Sequence, residues 1–247
     1  MADQNEKPVF FFDIDNCLYP KSLKIHDMMA ELIDKYFQTH LELSQQEANE
    51  LHYKYYREYG LAIEGLVRHH KINALDYNEQ VDDALPLDDV IKPDAELRKL
   101  IKDIDTSKVR LWLLTNAYVT HGKRVVRLLG IDDLFEGMTY CDYSSERFVC
   151  KPQAEMFDKA MAQAGVNKNE NCYFVGAFQT SFKINRVLIA LDDSYINCKA
   201  ADARGWKVAH YLDPGMDSPP EQAAKHQIRS LQELRKIFPE VFKSSQA

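Results

Sequence analysis

The sequence predicts an α/β fold: a Rossmann-like parallel sheet with flanking helices, and a helical segment inserted after the first strand. Three observations carry this expectation. Val9-Phe10-Phe11-Phe12 is an all-apolar run, the pattern of a strand buried on both faces. From Asp94 onward, apolar runs alternate with helical patterns of roughly 8 to 12 residues, the rhythm of parallel βαβ units. Between these regions, residues from about 20 to 92 carry helical periodicity and little strand signal.

Each element has its own reason. Ile25, Met28, Met29, Leu32, Ile33, Tyr36 and Phe37 recur at helical spacing. Ser44-Gln-Gln-Glu47 fits a capping box, opening a helix that runs through Leu51 to Tyr59 and stops at Gly60. Gly65 to His70 and Val81 to Ala84 read as shorter helices. Helix Asp94–Asp103 is followed by strand Val109–Leu114, helix His121–Leu129 and a short strand around Met138–Cys141. Helix Gln153–Ala164, strand Lys207–Leu212 and helix Ile228–Ile237 complete the series, with a turn-rich loop from Pro214 to Pro220. No internal repeat or low-complexity tract interrupts it.

Composition bounds the function. A chain of 247 residues holds one α/β domain plus a smaller insert. With 45% hydrophobic and 28% charged residues the chain is globular rather than disordered. The net charge of −7 argues against a nucleic-acid polymer as partner, which needs a basic face. No run of about 18 apolar residues argues for a membrane span, and the N-terminus lacks the apolar core of a signal peptide. Cys17, Cys141, Cys150, Cys172 and Cys198 are odd in number and scattered, without CxxC or His/Cys clustering for zinc. They read as reduced packing residues of a cytoplasmic protein, an address that leaves the nucleus open too. Cys17 sits near two acids but has no base nearby in sequence to make it a nucleophile.

Four polar clusters carry the chemistry. The first strand ends in Asp13-Ile14-Asp15-Asn16. Isolated buried carboxylates are costly, so a buried strand does not end in acids for packing's sake. Ligands of open α/β sheets gather at the carboxyl ends of strands. Asp13 and Asp15 face one side of the extended chain and Ile14 the other, which suits a cation, a phosphoryl group, or both. The bland alternative is a turn-favouring Asp-Asn pair at a strand end. The run Val109–Leu114 ends in Thr115-Asn116, Lys151-Pro152 precedes a helical pattern, and Arg186–Leu191 is an apolar run ending in Asp192-Asp193-Ser194. Alone, Thr-Asn reads equally as a helix cap and a lone lysine as solvated surface.

Taken in order, the acid pair, Thr-Asn, Lys-Pro and second acid pair resemble the four motifs of the haloacid dehalogenase superfamily of phosphohydrolases. Asp13-Ile-Asp-Asn-Cys-Leu-Tyr19 and Tyr59-Gly-Leu-Ala-Ile-Glu-Gly65 are similar to the pyrimidine 5'-nucleotidase branch of that superfamily, found in fungi and plants. The resemblance implies a discontinuous core domain, 8–19 with 93–247, and a helical cap, 20–92, over the active site. It implies Asp13 as nucleophile, forming an aspartyl-phosphate, and Asp15 as the acid and base. Thr115, Asn116 and Lys151 would bind the substrate phosphate. Mg²⁺ would be held by the side chains of Asp13 and Asp193 and the backbone carbonyl of Asp15, with Asp192 direct or through water. The implied substrate is a small phosphomonoester, a pyrimidine nucleoside 5'-monophosphate such as UMP or CMP. A broader phosphatase of sugar phosphates or pyridoxal phosphate is the alternative. Within the helical segment, Tyr53, Tyr55, Tyr56 and Tyr59 offer a ring to stack on a base, though packing among helices is the stronger reading. His69 and His70, adjacent on a helix, face apart and make poor co-ligands.

The chain departs from that pattern at one place. The family phrase resembles Cys-Tyr-Phe-Val-Asp-Asp-Ser, but here Cys172-Tyr-Phe-Val175 runs into Gly176 and the acids wait until Asp192-Asp193-Ser194. Gly176 to Leu191 reads as a 16-residue insertion, the length an unspliced in-frame short intron would give. Two strand candidates, 171–175 and 186–191, then compete for one slot in the sheet. The sequence therefore also allows a catalytically silent form.

Overall fold

The computed structural model describes residues 6–177, 182–184, 187–189, 193–214, 219 and 221–244, with the backbone alone described at 182–184, 187–189, 193 and 194. Six parallel strands form the central sheet in the order β3-β2-β1-β4-β7-β8. They are β1 (Val9–Phe12), β2 (Arg110–Leu114), β3 (Gly137–Thr139), β4 (Cys172–Ala177), β7 (Lys207–Tyr211) and β8 (His226–Ile228). As the apolar run implies, β1 is buried throughout and its side chains alternate between two cores. Phe10 and Phe12 enter one, against α6 (Ala95–Lys102) and α7 (Val119–Leu128); Val9 and Phe11 enter the other, against α8 (Ala154–Ala164) and α9 (Asp193–Ala203).

A third core belongs to the helices after β1: α1 (Ile25–Leu41), α2 (Gln45–Tyr59), α3 (Ala62–His70) and α4 (Ala74–Gln80). Phe37, Tyr55, Leu66 and Tyr77 fill it, joined by Tyr143 and Phe148 from the loop after β3. The capping box forms as expected: Ser44 accepts from Glu47 N–H while Glu47 reaches back to Ser44 N–H at 2.9 Å. Gly60 ends α2 at φ 79°, a left-handed conformation in which a side chain would be strained. Beyond α4, Leu85, Leu87 and Ile91, around α5 (Leu87–Val90), pack with the sheet core instead.

Three expectations need correction. Val81 to Ala84 is a turn; the helix lies upstream at α4, because Asn73 caps it with bonds from Leu75 and Asp76 N–H. Ile228 to Ile237 is not one helix. Ile228 pairs with Tyr211 at the sheet edge, and Ser230 and Glu233 cap a 3-10 turn leading into α10 (Leu234–Ile237). The strand expected at Arg186–Leu191 does not enter the parallel sheet. That slot belongs to β4, paired with β1 on one side and β7 on the other. Instead β6 (Val187–Ile189) pairs antiparallel with β5 (Phe182–Ile184) in a separate two-stranded sheet lying against α2. The loop at 214–220 lies mostly outside the described residues.

Candidate active site

The strand ends converge on Asp13. Pairing of β1 with β4 continues one step past Phe12, as Asp13 N–H donates to the Val175 carbonyl at 3.0 Å. The chain then turns: Leu18 N–H donates back to Ile14 at 2.9 Å, and Asn16 adopts φ 55°, a conformation asparagine tolerates. Asp13 is buried, and its Oδ1 accepts from Lys151 Nζ at 2.7 Å and from Ile14 N–H at 2.9 Å. Burial pushes the Asp13 carboxyl above its ordinary range, against the pull of the Lys151 ammonium.

Lys151 is a buried cation set against three strands. Besides Asp13 after β1, its Nζ donates to the Leu114 carbonyl of β2 at 2.9 Å and lies 5.5 Å from the centre of the Phe174 ring in β4. Its backbone is gripped by Asn116, whose Nδ2 donates to the Lys151 carbonyl at 2.9 Å and whose Oδ1 accepts from Lys151 N–H at 2.7 Å. The Asn116 amide thus fastens the lysine loop through one N–H and its carbonyl, while its side chain also lines the cavity described below. Thr115 is buried, and its hydroxyl accepts from Ala117 N–H at 3.0 Å, leaving its own proton to donate.

Asp15 stands two residues on, with partners that sequence reasoning missed. His121 Nε2 and the Tyr19 hydroxyl both bond to its Oδ1, at 2.8 and 2.7 Å. Burial works to raise Asp15, yet the charge and hydrogen bond of His121, with the Tyr19 bond, hold its carboxyl below the usual range. His121 itself is drawn upward by Asp15 despite its burial. The signal for His121 was present: it falls on the buried stripe of α7 with Gly122, Val125 and Val126, where a histidine reads as core. Asp82 is a further buried acid beside this group, pushed up to about 7 by burial, with Asp15 and Asp83 adding to the rise and His121 opposing it. The buried Cys17 thiol is pushed far up by burial and Asp13, which agrees with packing.

A cavity of about 110 Å³ lies between this site and the helical unit. Asp15, Asn16 and Asn116 line it from the strand ends, and His26, Tyr56 and Asp82 line it from elsewhere. Tyr56 therefore faces the cavity, whereas Tyr55 is buried among the helices. His69 and His70 bond to different tyrosines, Tyr59 and Tyr55, at 2.8 and 2.6 Å.

For a divalent cation, the fit rests on the donor set. Among the described residues the Asp13 carboxylate has both its protein donors on Oδ1, leaving Oδ2 for an oxygen-seeking ion, and the Asp15 carbonyl is nearby in the chain. Among the described residues, no group of three or more His, Cys, Asp or Glu is arranged to hold a metal. Asp192 and the Asp193 side chain, the expected completing acids, lie outside the described residues. No described helix is long and apolar enough to cross a membrane.

Comparison with known proteins agrees with this geometry. Over 177 residues the chain is 42% identical to Phosphate metabolism protein 8 of Saccharomyces cerevisiae, a match covering 68% of this chain and 55% of the yeast protein. The chain thus spans about half the length of that relative. Its fold is similar to the HAD phosphatase of Thermococcus onnurineus (TM-score 0.56, 16% identity, 94% of this chain and 97% of that one). It is also similar to the HAD hydrolase YfnB of Bacillus subtilis, solved bound to magnesium (TM-score 0.58, 14% identity, 94% and 99%). The sequence pattern of haloacid dehalogenase-like hydrolases matches residues 7–177. With more than half its length matched, this chain belongs to the haloacid dehalogenase-like hydrolases.

Proposed function

We propose that the chain is a Mg²⁺-dependent phosphatase of nucleoside 5'-monophosphates, UMP- or CMP-like, working through an aspartyl-phosphate on Asp13. The observation that carries it is the buried Asp13–Lys151 pair at 2.7 Å beside a separately anchored Asp15, at the carboxyl ends of parallel strands. In this reading the Asp13 carboxylate attacks phosphorus, and the phosphoryl group leaves the ester oxygen as Asp15 gives that oxygen a proton. Asp15, then a carboxylate, takes a proton from water, which attacks phosphorus and frees Asp13 and inorganic phosphate. Lys151 and Thr115 hold the phosphoryl oxygens, while Asn116 acts through Lys151. Mg²⁺ would be held by Asp13, the Asp15 carbonyl and Asp193 with Asp192, supplying positive charge between nucleophile and phosphate.

Residues 20–92 are assigned as a cap that supplies specificity, with 8–19 and 93–247 as the core. The cavity's aromatic and hydrogen-bonding lining, Tyr56, Tyr77, Tyr143, His26 and Asp82, suits a planar heterocycle better than a bare sugar. The five buried free thiols fit a cytoplasmic protein acting on a small phosphomonoester. Phosphate release over a panel of nucleotides, sugar phosphates and pyridoxal phosphate, with and without Mg²⁺, tests the substrate. Acid-quenched phosphoenzyme that disappears in Asp13→Asn tests the chemistry; near wild-type turnover in that variant would exclude it.

A second reading, a catalytically silent form, is favoured by one specific observation. At the end of β4, one step past the Phe12–Val175 pair and thus level with Asp13, stands Gly176 rather than an acid.

A further inference from the structure

We propose that His121 is a positioning residue for Asp15, fixing which carboxylate oxygen carries the proton; this rests on the reading of Asp15 as acid and base. The geometry is specific. Asp15 Oδ1 receives two bonds, His121 Nε2 at 2.8 Å and the Tyr19 hydroxyl at 2.7 Å. An oxygen already taking two donors has no room for a third proton, so Oδ2 is the oxygen left to give one to the leaving group. Neither anchor can wander. Tyr19 and His121 are both buried, and His121 sits in the first turns of α7, whose buried-stripe neighbours Val125 and Val126 are embedded in the sheet core. A carboxyl on a two-bond side chain otherwise rotates about χ2 with little restraint. A proton donor misaligned by rotation loses most of its effect, since transfer requires hydrogen-bond reach in a productive pose.

Around His121 stand Asp15, Asp82 and Arg124 as charged neighbours, and among the described residues its Nδ1 has no hydrogen-bond partner. The imidazole therefore has one bonded contact, and that contact is Asp15. A histidine kept for packing would not need its single polar bond aimed at the reacting carboxylate.

Leaving-group dependence separates positioning from packing. A nucleoside ester leaves poorly and needs a proton; p-nitrophenolate leaves well without one. In His121→Leu, kcat on the nucleoside monophosphate falls by about tenfold or more beyond any fall on p-nitrophenyl phosphate. His121→Gln, whose amide N–H can reach the same oxygen, restores much of the difference, and Tyr19→Phe shows the same signature more weakly. Equal losses on both substrates, or no rescue by glutamine, would overturn the proposal. Asp15→Asn serves as the reference. If it shows no leaving-group dependence, the acid role of Asp15 fails and the positioning role with it. If it shows one and His121→Leu does not, only the positioning role fails. A second measurement needs no turnover: imidazole ¹⁵N shifts of the full chain are expected to report a protonated, hydrogen-bonded Nε2, lost from bonding in Asp15→Ala. An unprotonated Nε2, or shifts indifferent to Asp15→Ala, would overturn the proposal.

Discussion

Asn116 holds Lys151 by both backbone groups, accepting from its N–H at 2.7 Å and donating to its carbonyl at 2.9 Å. The residue at the end of β2 thereby sets where the lysine loop crosses the strand ends, and Lys151 Nζ meets Asp13 as a result. Asn116→Ala leaves two backbone groups unpaired, at a cost of about 1–3 kcal/mol. The expected outcome is a fall in kcat/KM of on the order of tenfold or more, from a displaced lysine. Asn116→Asp, which keeps the acceptor and loses the donor, falls between. Steady-state kinetics beside urea midpoints check both; full activity in Asn116→Ala would remove the asparagine from the machinery.

The Asp13–Lys151 pair makes its own prediction about stability. Lys151→Met strands a buried carboxylate, and breaking a buried pair from one side costs about 3–5 kcal/mol. Adding Asp13→Asn removes the stranded charge, so the double variant is expected to be more stable than Lys151→Met alone. Chemical denaturation of the four proteins of the cycle measures it. Additive losses would mean that the two charges do not depend on each other.

Asp82 predicts a pH signature. Its carboxyl is raised from an ordinary 3.8 to about 7, chiefly by burial, with Asp15, Asp83, His121 and Tyr143 facing it. Between about pH 4 and 7 the folded chain therefore keeps a proton that the unfolded chain releases. The stability this contributes is full below about pH 4 and lost as pH rises through 7. Asp82→Asn carries no such proton. Relative to wild type, its stability is expected to climb across that window and level off above it. Tm measured for both proteins from pH 4 to 8 tests this; parallel curves would show that Asp82 does not titrate there.

Why some of this was legible in the sequence and some not follows from physics. Asp13 and Thr115 could be read because each stands where a strand ends, where open α/β sheets put their chemistry, and Lys151 because it precedes a helix in the same ordered set of motifs. The helices α2 and α6 carried their own start signals, Ser44 with Glu47 and Asp94 as N-cap. His121 could not be assigned, because a lone histidine on an apolar stripe looks the same whether it binds Asp15 or merely packs. The Asn116–Lys151 link joins residues 35 apart, and no local pattern encodes it. The 171–175 and 186–191 segments are similarly apolar, and only pairing with both β1 and β7 decides which enters the sheet.

The interrupted acid pair gives the last prediction. Deleting residues 176–191 would join Val175 to Asp192, placing Asp192 in the position of Gly176, level with Asp13, and Asp193 in that of Ala177. The replacement is not free. A Cβ built at Gly176 would fall 2.9 Å from Phe174 Cε1 and 3.1 Å from Cys198 Sγ, so the phenyl ring and α9 must both reseat. With the connection shortened, α9 starts directly from β4 and has the means to shift, since its first residue is Asp193. A carboxylate beside Asp13 raises the local negative charge, which a divalent cation offsets and Lys151 alone does not. The shortened chain is therefore expected to bind Mg²⁺ more tightly than the full chain and to show phosphatase activity higher by on the order of tenfold or more. Calorimetric titration with Mg²⁺ and phosphate-release assays on both forms measure it. Equal affinity and activity in the two would mean that Asp192 and Asp193 already reach the ion with the segment in place, and the silent reading would fall.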